Sequence, residues 1–212
     1  MIEAVIFDMD GVIVDSEPFW QQAEEEVFTA LGVNVTDKLR KQTQWMTTAE
    51  VAHFWYHQQP WQGVTLKQTE ERVVDRVIEL IQTHDCLMPG VQQTVKSLKA
   101  MGMKIGLATN SPYRIIPEVL RKAKLASSFD AICSAEFEVQ GKPQPDVYIS
   151  ALSKLEVTAE QALAIEDSKS GIKAARRAGM NVIGLNTRKL SGALYQVSSF
   201  HELNLANLLR TV

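Results

Sequence analysis

Short apolar segments recur along the chain, and each gives way to polar or charged residues. The first covers residues 4–7, with the sequence Ala-Val-Ile-Phe, and ends at Asp8. The others cover residues 104–108, 131–133, 162–165 and 182–185. Apolar segments of this length are typical of strands buried on both faces of a parallel sheet. Helices must then cover both faces, which restricts the chain to a layered α/β architecture.

Helical patterns lie between these segments, at residues 91–100, 115–123, 146–155 and 171–178. Gly102 and Gly179 follow two of the patterns, at positions where a helix commonly ends. Strands that alternate with helices of about ten residues favour right-handed βαβ units. The sequence therefore predicts an α/β fold with a doubly wound, mainly parallel sheet.

Residues 16–85 interrupt this alternation, because they contain helical patterns and no convincing strand. The patterns cover residues 19–31, 48–58 and 66–83. We predict an inserted all-α cap domain at 16–85, with hinges near 14–17 and 84–89. Residues 1–15 and 86–212 then form the α/β core that carries the chemistry, and residues 202–210 are predicted to form a final helix.

Composition and charge exclude several classes of protein. A formal net charge of −3 over 212 residues argues against a nucleic-acid or anionic-membrane surface. Cys86 and Cys133 lie far apart, so neither a disulfide framework nor a zinc site is expected. Met1 leads directly into the first strand without a signal peptide, and no apolar segment approaches the ~20 residues needed to span a bilayer. We expect a cytoplasmic monomer.

Polar residues that could take part in catalysis or binding follow the predicted strands. In an open α/β sheet, ligands bind beyond the carboxyl ends of the strands. The residues at these positions are Asp8 and Asp10 after the first strand, Thr109 and Asn110 after the second, Lys142 beyond the third, and Glu166 and Asp167 after the fourth. We therefore expect them to meet at one edge of the sheet.

Several carboxylates in one place repel one another and would take up protons unless a cation joined them. Lys142 alone does not balance the charge. Mg²⁺ suits a site with few carboxylates, water and a substrate phosphate. With the cation and the lysine present, the Thr109 hydroxyl and the backbone amides of 109–111 can donate to phosphate oxygens. Two carboxylates two residues apart can supply a nucleophile and a general acid/base.

These motifs, in this order, resemble those of the haloacid dehalogenase superfamily: Asp8-Met9-Asp10-Gly11-Val12, Thr109, Lys142 with Pro143, and Glu166-Asp167. The resemblance covers the whole chain, and the position of the predicted cap is similar to that in the β-phosphoglucomutase-like subgroup. It implies a Rossmann-like core and an aspartyl-phosphate intermediate. The second aspartate, Asp10, is not expected in true dehalogenases, which favours phosphoryl chemistry.

The resemblance also implies roles for individual residues. Asp8 would be the nucleophile, and Asp10 the general acid/base, whose backbone carbonyl also binds Mg²⁺. Thr109, with Asn110 beside it, would bind the transferring phosphate. The remaining roles complete the site: Lys142 would bridge the phosphate and Asp8, Asp167 and Asp8 would ligate the metal, and Glu166 would ligate it directly or through water.

The cap resembles that of 2-deoxyglucose-6-phosphatase-type sugar phosphatases over residues 15–20 and 54–61. This resemblance implies a hexose or hexitol phosphate as the substrate. Trp20 stands where the mutases of the subgroup typically carry a proton-relaying histidine, which favours hydrolysis. Related caps often carry a Gly-x-Arg loop, whereas residues 45–47 here read Trp-Met-Thr. This departure leaves the substrate open.

Trp20, Trp45 and Thr47 are our candidate substrate contacts in the cap, and the tryptophans could equally pack its small core. For Trp55, on an apolar helix face, we predict core packing. Two other functions stay open beside a sugar-phosphate phosphatase. One is a β-phosphoglucomutase-like isomerase with the same intermediate, and the other is a non-catalytic sugar-phosphate sensor.

Overall fold

The structure is a computed structural model that describes residues 1–43, 46–185 and 190–204. The chain divides into two compact units, which are described separately below. The first, called the α/β unit, comprises Met1–Asp15 and Cys86–Val212. The second, called the helical unit, comprises Ser16–Asp85.

A six-stranded parallel sheet forms the centre of the α/β unit, with the strand order β3-β2-β1-β4-β5-β6. Its strands are β1 (Ala4–Phe7), β2 (Lys104–Thr109), β3 (Ala131–Ser134), β4 (Ala162–Glu166), β5 (Asn181–Leu185) and β6 (Tyr195–Val197). The first strand of the chain is therefore central, and every residue of β1 is buried. The predicted α/β class with its parallel sheet is confirmed.

Helices in the α/β unit follow the strands in the order that the sequence predicts. They are α5 (Val91–Ala100), α6 (Ile116–Lys122), α7 (Asp146–Leu155) and α8 (Lys169–Arg177). Side chains of α7 and α8 share one buried apolar cluster with Ala4 and Ile6 of β1. Because successive residues of a strand point to opposite faces, Phe7 faces the other side, where its ring contacts Phe129 and Phe200.

Strand β6 is absent from the sequence prediction. Tyr195 and Gln196 are exposed and Val197 is half-buried, as befits the edge of the sheet. An edge strand of this kind lacks the continuous apolar run that marks the central strands. The predicted helix at 202–210 lies mostly outside the described residues, and residues 200–202 form a short 3₁₀ turn.

The helical unit contains α1 (Glu17–Ala30), α2 (Asp37–Thr43), α3 (Thr48–Gln58) and α4 (Leu66–Thr83). The described part of this unit contains no strand. Capping boxes begin α3, at Thr47 and Glu50, and α4, at Thr65 and Gln68. The sequence did not indicate α2, because its seven residues are mostly polar and only Thr43 is buried.

Aromatic rings fill the interior of the helical unit. Trp55 is fully buried, and its ring centroid lies 5.9 Å from that of Phe28. Trp61 packs against the same phenylalanine at 5.8 Å. The core position predicted for Trp55 is confirmed. Among the residues that the structure describes, no helix combines the length and the apolar character needed to cross a membrane.

Glu24 on α1 generates a prediction about pH and stability. Burial raises the pKa of its carboxyl from 4.5 to about 7, and nearby Arg40 opposes this shift. Between these two pH values the folded chain holds a proton that the unfolded chain releases, so the free energy of unfolding falls as the pH rises. Glu24→Gln removes this loss. We expect the variant to be more stable than the parent protein by roughly 1–3 kcal/mol at pH 8, with little difference near pH 4.5.

Urea unfolding at several pH values measures this effect. Glu71→Gln, at an exposed position of α4, is the matched control and should change stability little at any pH. A Glu24→Gln protein with the same advantage at pH 4.5 and pH 8 would contradict the prediction.

Candidate active site

The register of the sheet brings the polar residues that follow β1, β2 and β4 to one edge. Phe7, the last residue of β1, lies opposite Leu107 on one side and Ile165 on the other. The backbone amide of Asp8 donates to the Ile165 carbonyl at 3.0 Å, so Asp8 continues the line of the strand. In the same register Glu166, the last residue of β4, lies beside Asp8, and Thr109, the last residue of β2, lies one position further along.

Lys142 lies at the centre of this edge and is almost fully buried. Its Nζ atom donates to Asp8 Oδ1 at 2.8 Å and to Glu166 Oε1 at 2.6 Å. A third bond, to the Ala108 carbonyl, measures 2.8 Å. An ammonium group has three donors, so all of them are used. The lysine thus joins the ends of three neighbouring strands.

Asn110 fixes the backbone that carries this lysine. Its Oδ1 atom accepts a bond from the Lys142 amide at 2.8 Å, and its Nδ2 donates to the Lys142 carbonyl at 3.2 Å. Both ends of the side-chain amide therefore bind one residue, 32 positions later in the chain. The substrate-binding role predicted for Asn110 stays a prediction, and the observed contacts give it a positioning role.

Asp10 is oriented by two hydroxyl groups, one at the end of β2 and one just after it. Its Oδ2 atom accepts a bond from Ser111 Oγ at 2.6 Å and one from Thr109 Oγ1 at 3.3 Å. Thr109 Oγ1 in turn accepts from the Ser111 amide at 3.0 Å. From the sequence, Ser111 was expected to contribute only its backbone amide, as a phosphate donor. The contact of its hydroxyl with Asp10 was not predicted.

Three carboxylates form a cluster at this edge. Asp8, Glu166 and Asp167 each offer an oxygen atom, and these oxygens all lie within 4.8 Å of one another. Asp167 packs against Gly11, which has a φ of 75°. A Cβ atom at residue 11 would lie 2.1 Å from Asp167 Oδ2, so both backbone conformation and space require glycine there.

The carboxylates exceed the positive charge available to them. Burial and the neighbouring Glu166 raise the pKa of Asp8 well above its usual range, although Lys142 opposes the shift. The same causes raise the pKa of Asp167 to about 7. Burial lowers the pKa of Lys142, but Asp8 and Glu166 outweigh it, so the net shift is upward and the ammonium stays charged. Without another cation, protons must neutralise part of the cluster.

The donor set of this cluster fits Mg²⁺. The ion prefers oxygen ligands and binds proteins through one or two carboxylates, keeping several waters. Asp8 and Asp167 provide such ligands, and Glu166 adds a third within reach. The Oε1 atom of Glu166 already accepts from Lys142. Among the described residues, Oε2 accepts one bond, the long 3.3 Å bond from Ser168 Oγ. A direct contact from Glu166 to a metal would therefore use Oε2.

Tyr148 is a site residue that sequence reasoning missed. It is fully buried on α7, and its hydroxyl donates to Glu166 Oε1 at 2.5 Å. Lys142 Nζ lies 4.9 Å from the centre of its ring. The hydroxyl within the otherwise apolar face of α7 was the only signal, because a tyrosine at such a position usually serves as core.

The candidates in the helical unit have different surroundings. Thr47 begins α3, and its hydroxyl accepts from the Glu50 amide at 3.3 Å and donates to Glu50 Oε2 at 3.0 Å. Its hydroxyl thus has a capping function, and its substrate-binding role stays a prediction. Trp20 is half-buried on α1. Trp45 lies outside the described residues.

Comparison with known proteins gives consistent matches over most of the chain. Residues 5–185 match the family described as haloacid dehalogenase-like hydrolase. Hexitol phosphatase B of Escherichia coli (strain K12) is 37% identical over 215 residues, which cover 98% of this chain and 97% of that protein. Beta-phosphoglucomutase of Bacillus subtilis (strain 168) is 29% identical over 191 residues, or 87% and 83% of the two chains.

A solved structure agrees with these matches. The crystal structure of CbbY from Rhodobacter sphaeroides in complex with phosphate has a TM-score of 0.88 to this chain and is 29% identical. The match covers 98% of this chain and 99% of that chain. The match therefore includes residues of both the α/β unit and the helical unit.

Gly171 on α8 generates a second prediction. A Cβ atom there would lie 2.0 Å from the carboxylate of Glu166. Gly→Ala inside a helix ordinarily stabilises by about 1 kcal/mol. Here the new methyl group must displace a buried carboxylate, so we expect Gly171→Ala to destabilise the fold by roughly 1–3 kcal/mol.

Thermal and urea unfolding measure this change. Lys173→Ala, at an exposed position of the same helix, is the control and should be neutral or slightly stabilising. A Gly171→Ala protein as stable as the parent would show that Glu166 does not occupy the space seen in the structure.

Proposed function

We propose that this chain, which belongs to the haloacid dehalogenase-like hydrolase family and is a phosphatase of that family, hydrolyses small sugar phosphates and depends on Mg²⁺. Its motifs predict the same family. The observation that carries this proposal is the pair of carboxylates at one strand end, of which Asp8 is buried and Asp10 half-buried. Lys142 binds Asp8 Oδ1 at 2.8 Å, and hydroxyl groups orient Asp10 two residues away. One carboxylate is thus positioned as a nucleophile and the other as an acid/base.

In the first step a carboxylate oxygen of Asp8 attacks the phosphorus atom. The bond between phosphorus and the sugar oxygen breaks, and Asp10 gives a proton to the departing oxygen. Ser111 and Thr109 both donate to Asp10 Oδ2, which fixes the orientation of the carboxyl during this transfer. The product of the step is an aspartyl-phosphate on Asp8 and a free sugar hydroxyl.

In the second step water attacks the same phosphorus atom. Asp10, now deprotonated, takes a proton from the water, and the bond from phosphorus to Asp8 breaks. Inorganic phosphate leaves, and Asp8 is restored. Throughout both steps the ammonium of Lys142 lies beside Asp8 and stabilises negative charge on the phosphoryl oxygens.

Asp8, Asp167 and Glu166 are the residues that would hold Mg²⁺, together with the backbone carbonyl of Asp10. When bound, the ion neutralises charge on the phosphate and on the acidic cluster. The raised pKa values of Asp8 and Asp167 support this assignment, since both carboxyls lack a sufficient counter-charge in its absence.

Hexitol and hexose phosphates are the substrates that we propose. The 37% identity to a protein named hexitol phosphatase B, over almost the full length of both chains, supports this class. Trp20, Trp45 and Thr47 are proposed to contribute to substrate recognition. The cytoplasmic location and the monomeric state stay predictions.

A mutase is the second candidate, supported by the relative named beta-phosphoglucomutase. It would form the same aspartyl-phosphate but return the phosphoryl group to a sugar hydroxyl. Trp20, in the position where a histidine is typical of mutases, favours transfer to water.

Steady-state assays against hexitol, hexose, pentose and triose phosphates test the proposal through release of inorganic phosphate. We expect turnover with Mg²⁺, loss of turnover on chelation, and the highest kcat/KM for six-carbon substrates. Asp8→Asn should lower kcat about 1,000-fold or more, because the nucleophile is lost. Asp75→Asn, at an exposed position of α4, should leave kcat unchanged. Isomerisation of β-glucose 1-phosphate without phosphate release would identify a mutase instead.

Asp10→Asn tests the assigned acid/base. The loss should depend on the leaving group, because nitrophenolate departs without a proton and a sugar alkoxide does not. With p-nitrophenyl phosphate we expect a burst of about one equivalent of nitrophenolate, followed by turnover slowed about 10²–10⁴-fold. With a sugar phosphate the first step itself should slow. Equal losses for both substrates and no burst would remove Asp10 from this role.

A further inference from the structure

Tyr148 contacts both members of the ion pair between Lys142 and Glu166. Neither chemical step of the proposed reaction uses Tyr148 directly. Its hydroxyl donates to Glu166 Oε1 at 2.5 Å, and its ring lies 4.9 Å from Lys142 Nζ. Tyr148 and Glu166 are both fully buried. Because Glu166 is fully buried, its carboxylate must find its hydrogen bonds within the protein.

One oxygen atom of Glu166 carries both strong bonds. Oε1 accepts from Lys142 Nζ at 2.6 Å and from the Tyr148 hydroxyl at 2.5 Å. The second bond spreads the negative charge of this oxygen over two donors. It therefore weakens the attraction that Glu166 alone would exert on the lysine.

Lys142 divides its ammonium between two competing carboxylates. Its bond to Glu166 Oε1, at 2.6 Å, is shorter than its bond to Asp8 Oδ1, at 2.8 Å. Without the tyrosine hydroxyl, Glu166 Oε1 would retain more charge and draw the lysine further from Asp8. The strength of the hydrogen bond from Lys142 Nζ to Asp8 thus depends on the Tyr148 hydroxyl.

We propose that Tyr148 is a positioning residue, which satisfies Glu166 Oε1 and so keeps an N–H of Lys142 on Asp8. The role rests on the proposed function, in which Asp8 attacks phosphorus and Lys142 stabilises the transferring group. Tyr148 acts through Glu166 and Lys142 and touches no reacting atom. Phenylalanine would preserve the ring beside Lys142 and remove the hydroxyl alone.

Tyr148→Phe should lower kcat about 10- to 100-fold, the range that corresponds to one hydrogen bond to a charged group. KM should change less than threefold, since substrate binding does not involve the hydroxyl. Tyr195→Phe, at an exposed position of β6, is the matched control and should leave both constants unchanged. A rise in KM alone, or no change in kcat, would overturn the proposal.

A double-mutant cycle tests whether the tyrosine acts through Glu166. Glu166→Gln weakens the acceptor of the Tyr148 hydrogen bond. Adding Tyr148→Phe to the Glu166→Gln variant should therefore lower kcat by less than a further threefold. Two full, multiplicative losses would show that Tyr148 works by another route, such as packing of α7, and would overturn the proposal.

The position of Lys142 can be followed without turnover. In protein labelled with ¹⁵N-lysine, the ammonium resonance of Lys142, identified by its loss in Lys142→Met, should shift in Tyr148→Phe and stay unchanged in Tyr195→Phe. An unchanged resonance in Tyr148→Phe would overturn the proposal. This readout tests the positioning role of Tyr148 separately from the proposed phosphatase function, because it responds to Tyr148 even if the parent protein releases no phosphate from any ester.

Discussion

The ammonium of Lys142, buried among carboxylates, is the interaction on which the rest of the site depends. It neutralises part of the charge on Asp8 and Glu166 and spans the ends of neighbouring strands. Removing one partner from a buried ion pair leaves an uncompensated charge in a low-dielectric environment. The surrounding contacts therefore serve to place one nitrogen atom: Asn110 fixes its backbone, and Tyr148 shares its acceptor.

The sequence predicted the sheet and the set of residues at its edge because both follow from periodicity. Apolar runs mark central strands, and parallel strands bring their carboxyl ends to one side, so Asp8, Thr109 and Glu166 had to lie close together. The family motifs then ordered these residues into roles. Such arguments need only positions along the chain, and this is why they succeeded for the centre of the fold.

Features that depend on side-chain direction or on marginal hydrophobicity escaped the sequence. The edge strand β6 and the short helix α2 carry too few buried residues to show a period. Tyr148 reads as core, since nothing in the sequence reveals that its hydroxyl meets a carboxylate. The predicted role of Asn110 in substrate binding stays a prediction, and nothing in the sequence indicates that its amide also binds the backbone of Lys142, 32 residues away. Contacts of this kind arise only once the loops are placed in space.

The reciprocal bonds between Asn110 and Lys142 constrain the lengths of the two loops that they join. The two loops that they join follow different strands and would otherwise drift independently in sequence. Because one side chain reads the backbone of the other loop, an insertion or deletion in either loop shifts the lysine relative to Asp8. Changes in loop length are therefore better tolerated elsewhere in the chain, in segments that no second loop binds in this way.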